Sequence, residues 1–228
     1  MSKSKIGTIQ EALTHISSGQ RILAGGFAGV GEPEELLRAI ADSPYENLTL
    51  IGVDAGKDGF GGRAQLIRSG KISCLIATHM GLNAAIPQMV ADGRIWTEMI
   101  PMGTLIEQIR CGGYGLGGVL TQTGLGTMVQ ENKRIIEIGG KPYLLEEPIR
   151  ADVALVKAHK ADENGNLTFY RTARNFNPLL AMAADYVIAE VDEILPCGGI
   201  DPDLVETPGV CVHMIVKGSE KYCREKNG

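Results

Sequence analysis

Short, uniformly apolar runs alternate along this chain with segments whose apolar residues recur at helical spacing. Residues 21–24, 48–53, 72–77 and 96–100 read as strands in the first half. In the second half the runs at 135–138, 143–145, 153–158, 167–170, 186–191 and 210–216 read the same way. Between them lie helical signals. Thr8-Ile9-Gln10-Glu11 fits a capping box ahead of Ile9, Leu13 and Ile16. Pro33 suits the first turn of a helix with Leu36, Leu37 and Ile40 on its inner side. Further helices are expected at 64–69, at 82–91 with a break at Pro87, at 103–110 and at 178–184. Apolar strands separated by helices belong to a sheet covered on both faces. The expected class is therefore α/β, with an open, mostly parallel sheet. Without an internal repeat or a low-complexity linker, residues 1–217 read as one domain and 218–228 as a polar tail.

Composition changes this picture in three places. Of 228 residues, 44% are hydrophobic and 21% charged, which supports a buried core and excludes disorder. A net charge of −5 weighs against a nucleic-acid partner, whose phosphates call for clustered Lys and Arg. The five cysteines (Cys74, Cys111, Cys197, Cys211, Cys223) are odd in number and form no C-x-x-C pair. They read as thiols in a reducing, cytoplasmic compartment, with no metal site expected. The opening residues show no apolar leader core, and no apolar run approaches the roughly 18 residues a membrane span needs.

Glycine is the outlier, at 30 residues. Gly25-Gly26-Phe27-Ala28-Gly29-Val30-Gly31 sits between a strand and a helix, where open α/β sheets place ligands; a turn needed only for packing is the alternative. It is not a dinucleotide fingerprint, because Glu34 stands where the third glycine belongs. Glu32, Glu34 and Glu35 open the helix behind it and would repel a diphosphate. The loop is therefore expected to offer its amides to a less charged group, such as a thioester carbonyl. A second dense stretch, 112–127, holds seven glycines with Thr121, Thr123 and Thr127. Gly113, Gly115 and Gly118 spell G-x-G-x-x-G there, but after a helix rather than a strand. A ligand, a partner chain or a mobile lid would each account for such a loop.

Hydrolase signatures and the nucleotide-binding G-x-x-x-x-G-K-[ST] loop are missing. His15, His79, His159 and His213 are far apart in sequence, and His79, just past a strand end, has the best claim to a site role. Lys57, Arg63, Lys157, Lys160, Arg171 and Arg174 flank loops and could meet phosphates, with solvated surface charge as the alternative for each.

Several ordered motifs carry a resemblance. Ile22-Leu23-Ala24-Gly25-Gly26-Phe27, then Gly31 and Pro33, resembles the first signature of the family I coenzyme A transferases. The likeness continues through Gly103-Thr104-Leu105, Arg110-Cys111-Gly112-Gly113, Thr123-Gly124-Leu125-Gly126-Thr127, Lys157 to Asp162, Gly165-Asn166-Leu167 and Ala173-Arg174-Asn175-Phe176-Asn177. It covers about 200 residues and matches the α subunit, which pairs with a β subunit of similar fold.

The resemblance implies a ping-pong transfer of CoA between short-chain acids such as acetate, butyrate and acetoacetate. The nucleophile would be a glutamate of a Ser-Glu-Asn-Gly motif on the β subunit, so no catalytic residue is assigned to this chain. Glu163-Asn164-Gly165 imitates that motif with Asp162 in place of Ser, and reads as a hairpin turn. The resemblance assigns residues 25–31 to CoA binding. It sets His79, Met102, Gly113, Gly115, Thr123 and Gly124 along the substrate cleft, with Met102 where the family commonly has Gln. CoA and acyl-CoA enter as substrates rather than as a resident cofactor, and the assembly is expected to be a heterotetramer or larger. A sugar-phosphate isomerase-like enzyme of similar fold and a non-catalytic CoA-binding homologue are the alternatives.

Overall fold

The apolar runs become strands because both of their faces are buried. In β2 (Arg21–Ala24), following β1 (Ile6–Gly7) and α1 (Ile9–Leu13), the side chains of Ile22 and Ala24 meet one core and Leu23 meets the other. This computed structural model describes residues 4–219. The chain continues through α2 (Glu34–Ala41), β3 (Leu48–Ile51), α3 (Gly61–Arg68), β4 (Ile72–Ala77), α4 (Ala85–Ala91), β5 (Trp96–Met99) and α5 (Met102–Tyr114). Three strands then form a small antiparallel sheet: β6 (Val119–Thr121), β7 (Ile135–Ile138) and β8 (Lys141–Glu146), in the order β6-β8-β7. The second half closes with β9 (Ala151–Asp162), β10 (Leu167–Thr168), α6 (Asn177–Leu180), β11 (Ala184–Leu195) and β12 (Met214–Lys217).

The main sheet runs β1-β12-β11-β9-β2-β3-β4-β5 and is parallel throughout, except that β10 folds back on β9 as a hairpin. One face carries Leu50, Leu75, Val153, Leu155 and Ile188 against Leu36, Leu37, Leu66 and Ile86 of α2, α3 and α4. The other carries Ile51, Ala154, Val156 and Ala189 against Leu105 and Ile109 of α5 and Leu180 of α6. Helices thus cover both faces, as the apolar strands require. The capping box at Thr8 forms as expected: Glu11 N–H donates to the Thr8 hydroxyl, and Thr8 N–H donates to the Glu11 carboxylate at 2.7 Å.

Several expectations need correction. Helix α5 does not stop at 110. It runs through Gly112 and Gly113 to Tyr114, and Gly115 caps it in the left-handed conformation at φ 68°. These glycines serve close packing: a Cβ on Gly112 would lie 2.0 Å from the Ile149 carbonyl oxygen, and one on Gly113 would lie 3.0 Å from Met182. Pro87 causes no break, because it falls in the first turn of α4. Pro33 stands at the N-cap of α2, one position before the first turn. The expected tail at 218–228 is not among these corrections, since residues 220–228, with Cys223, lie outside the described residues. Among the described residues no helix is long and apolar enough to cross a membrane.

Candidate active site

Strand order decides where this sheet opens. From β2 the chain steps outward through β3, β4 and β5; from β9 it steps the other way through β11 and β12. The direction reverses between β2 and β9, and ligands of open α/β sheets bind beyond the carboxyl ends of strands at such a point. Ala24, the last residue of β2, pairs with Leu155, so β9 runs on past β2 from Val156 to Asp162. Side chains of a strand alternate between faces, so Lys157 and His159 continue the face of Val153 and Leu155. Glu190 and Asp192 likewise continue that of Ile188. A cavity of about 560 Å³ opens there, walled by Lys157, His159, Glu190 and Asp192 and by Val30 and Gly31 of the glycine loop.

The loop is held rigidly over this cavity. Phe27 and Val30 exchange two backbone hydrogen bonds of 2.9 Å around Ala28 (φ 49°) and Gly29 (φ 86°), a tight turn with two left-handed centres. Ala28 N–H donates to the Asp54 carboxylate at 2.7 Å, and Gly25 N–H to the Leu155 carbonyl at 2.9 Å. Asn177, fully buried, ties the loop to its surroundings. Its Oδ1 accepts from Lys157 N–H at 3.0 Å, and its Nδ2 donates to the Gly31 carbonyl at 3.1 Å and the Ala173 carbonyl at 3.0 Å. Glycine is obligatory beside it, since a Cβ on Gly25 would stand 1.8 Å from Asn177 Oδ1.

Most of the loop's amides are therefore spent inside the fold. Those of Gly26 and Gly31 have no acceptor among the described residues. Both glycines are buried, and Gly31 lines the cavity. A buried N–H without an acceptor, as at Gly31 on the cavity wall, is a donor of the kind that can receive a developing oxyanion.

The acidic start of α2 plays a different part from the one its sequence suggests. Glu32 belongs to the cavity wall, but its carboxylate is buried beside Arg63, with Nε to Oε1 at 3.6 Å. Arg63 is itself fully buried and donates to the carbonyls of Ala24, Gly25 and Asp54, fastening the end of β2 to the start of α3. Glu34 accepts from Gly62 N–H, with Arg38 3.6 Å away. The N-terminal amides of α2 are already occupied, because Glu35 N–H and Leu36 N–H donate to Glu190 Oε2 at 2.9 and 3.1 Å. The helix end is closed to a phosphate by a protein carboxylate, not merely repelled by acidic neighbours. Burial pushes the Glu190 carboxyl up, with Lys157 and the α2 amides pulling in the opposite direction. Lys157 Nζ reaches Glu190 at 3.3 Å and Asp192 at 2.7 Å, and His159 Nδ1 lies 3.2 Å from Asp192.

The other expected site residues are dispersed. His79 sits beside the loop, its ring 6.3 Å from that of Phe27, with Nδ1 3.3 Å from Thr78 Oγ1. Met102 begins α5; Thr123 and Gly124 follow β6 in the small sheet, where Gly124 packs on Val129. None of Met102, Gly113, Gly115, Thr123 or Gly124 lines the cavity. Glu163-Asn164-Gly165 forms the turn between β9 and β10, as expected, with Glu163 Oε2 accepting from Cys197 N–H at 3.3 Å. Sequence reasoning singles out neither Glu190 nor Asp192 as a site residue, and it reaches Asn177 only through the Asn175-Phe176-Asn177 motif.

A parallel sheet with a rigid glycine turn over a cavity at its reversal point defines an α/β protein of the open-sheet type. The coenzyme A transferase family model matches residues 6–218. The alpha subunit of the acetate CoA-transferase of Escherichia coli K12 is 45% identical over 222 residues, 96% of this chain and all of that protein. The corresponding subunit of a probable succinyl-CoA:3-ketoacid coenzyme A transferase of Bacillus subtilis 168 is 41% identical, over 96% of this chain and 92% of that protein. Among solved structures, an acyl-CoA transferase from E. coli O157:H7, in thioester complex with CoA, aligns with a TM-score of 0.83 at 22% identity. That alignment covers 95% of this chain but 47% of the other, so the chain spans about half the length of that relative. Glutaconate coenzyme A-transferase from Acidaminococcus fermentans aligns with a TM-score of 0.84 at 20% identity, over 96% of this chain and 77% of that one. The chain belongs to the coenzyme A transferase family.

Proposed function

We propose that this chain is the α subunit of a heteromeric CoA-transferase that moves CoA from an acyl-CoA to a short-chain carboxylate such as acetate, butyrate or acetoacetate. The observation that carries this reading is the glycine turn 25–31, fixed at the sheet's reversal point with the buried Gly26 and Gly31 amides lacking acceptors among the described residues. The chain supplies main-chain donors and a dry wall; the partner β subunit supplies the attacking acid. Relatives named as single subunits of a larger transferase support a two-chain enzyme. So does the solved transferase whose single chain is about twice as long.

In this mechanism the partner's glutamate attacks the thioester carbonyl, and CoA leaves as a thiolate with the C–S electron pair. The thiolate then attacks the glutamyl carbonyl of the anhydride, releasing the acid and leaving a glutamyl-CoA thioester. The second acid reverses these steps. A carboxylate nucleophile is already ionised at neutral pH, so no general base is required of this chain. Its contribution is to hold donors at the oxyanion and to exclude water from the anhydride and thioester.

The test is to incubate the reconstituted complex with acyl-CoA, trap with hydroxylamine or borohydride, and map the label. The label is expected on the partner, and the isolated chain is expected to transfer no CoA. A label on any side chain of this polypeptide overturns the reading.

A further inference from the structure

Six basic residues flank the loops of this fold, and the structure sorts them by what they already hold. Arg63 is buried in the fold's own carbonyls. Lys157 lies between Glu190 and Asp192, Lys160 Nζ is 2.9 Å from Glu193, and Arg174 pairs with Glu206. Lys57 is exposed outside the cavity wall. Arg171 lines the cavity with no carboxylate against it among the described residues. Its guanidinium carbon stands 4.9 Å over the Tyr170 ring, which in turn lies 5.2 Å from the His159 ring. The cavity's acids already have other cations: Glu32 sits beside Arg63, Glu34 beside Arg38, and Glu190 and Asp192 on either side of Lys157. The positive charge of Arg171 is therefore the one that no acid of the wall takes up.

The backbone there is also unusual. Arg171 sits at φ 48°, a conformation that glycine or asparagine adopts at less cost. Nothing in the packing asks for arginine at that place, since its side chain is exposed and stacks on a single ring. The cation–π contact with Tyr170 engages one face of the guanidinium and leaves its fork of donors able to take two oxygens at once. Val30, Ala158 and Ala173 supply apolar wall beside it, suited to a methylene chain.

We propose that Arg171 anchors an oxyanion of the substrate at the cavity mouth, either a second carboxylate on the acyl group or a phosphate of CoA. This rests on the reading above that acyl-CoA occupies the site.

The experiment uses the complex with its partner, wild type against Arg171→Gly, which relieves the backbone while removing the charge. Arg171→Lys restores charge without the fork. Donors are the CoA thioesters of a monocarboxylic and a dicarboxylic acid and the phosphate-free pantetheine thioester of the monocarboxylic acid. Arg171→Gly is expected to raise KM about 10- to 100-fold with kcat within about twofold, and Arg171→Lys to recover part of it. A penalty confined to the dicarboxylic donor identifies the carboxylate. One shared by both CoA thioesters and lost with the pantetheine thioester identifies the phosphate. Unchanged KM with every donor, or an equal penalty with the pantetheine thioester, overturns the proposal. If the wild-type complex transfers no CoA, the proposed function fails. Arg171 is then judged by calorimetry with succinate and adenosine 3′,5′-bisphosphate. Binding to wild type that Arg171→Gly abolishes upholds it, and unchanged or absent binding of both overturns it.

Discussion

Replacing Gly25 by alanine puts a methyl where Asn177 already stands, 1.8 Å from Oδ1 and 2.7 Å from Cγ. Gly25 is not held at positive φ, so the strain is entirely in this contact. Either the loop lifts or the Asn177 amide rotates away. Rotation surrenders the bonds from Lys157 N–H and to the Gly31 and Ala173 carbonyls, the one to Gly31 buried and the other two partly so. Each such bond is worth about 0.5–1.5 kcal/mol net, and more where a buried group is left unsatisfied, giving roughly 2–4 kcal/mol in total. Asn177→Ala removes the same three bonds without the clash and should cost a similar amount. The double variant then loses nothing further, so its cost should match one single variant and fall short of their sum by about 2–4 kcal/mol. Urea unfolding of the four proteins measures this. Strictly additive costs would show that the loop is not held through Asn177.

Three other substitutions follow from the same geometry. Arg63→Met leaves Glu32 and Asp54 buried without their cation, and should cost about 3–5 kcal/mol, or a fall in Tm of roughly 6–20 °C; a thermal shift below about 3 °C would remove Arg63 from this role. Glu190→Gln tests the buried carboxyl through pH. Because its folded pKa lies above the ordinary 4.5, the native state holds the extra proton. Wild-type stability should therefore fall relative to the variant as pH rises from about 4.5 through the raised value; a pH-independent difference in urea midpoints refutes this. Thr8→Ala breaks the capping box and should cost about 1 kcal/mol, or 2–4 °C in Tm, with no change in activity of the complex.

What sequence discloses depends on how locally each feature is determined. The strands are legible because burial on both faces leaves an unbroken apolar run, as in Ile22-Leu23-Ala24. The glycine turn is legible because left-handed backbone at Gly29 and Gly31 leaves its mark in composition. The same reasoning misleads at Gly112 and Gly113: glycine suggests a loop, whereas a helix also uses it where another backbone presses close. Of the small sheet, the apolar pattern shows the strands at 135–138 and 143–145 but not β6, which has only three residues, none of them fully buried.

The site's charges are hidden for a different reason. Glu190 caps a helix that begins more than 150 residues earlier, and no spacing rule connects them. Glu32 looks like a barrier to anions because its sequence neighbours are acidic, yet its true neighbour is Arg63, brought in by α3. A charge at a helix start thus has no functional meaning until its partner is known, and partners are assigned by topology. The order reversal between β2 and β9 lays β9 and β11 beside the glycine turn and determines which cations are consumed. Arg171 is left over by that allocation, so its position in the fold, rather than its place in a basic stretch, makes it a candidate to meet substrate.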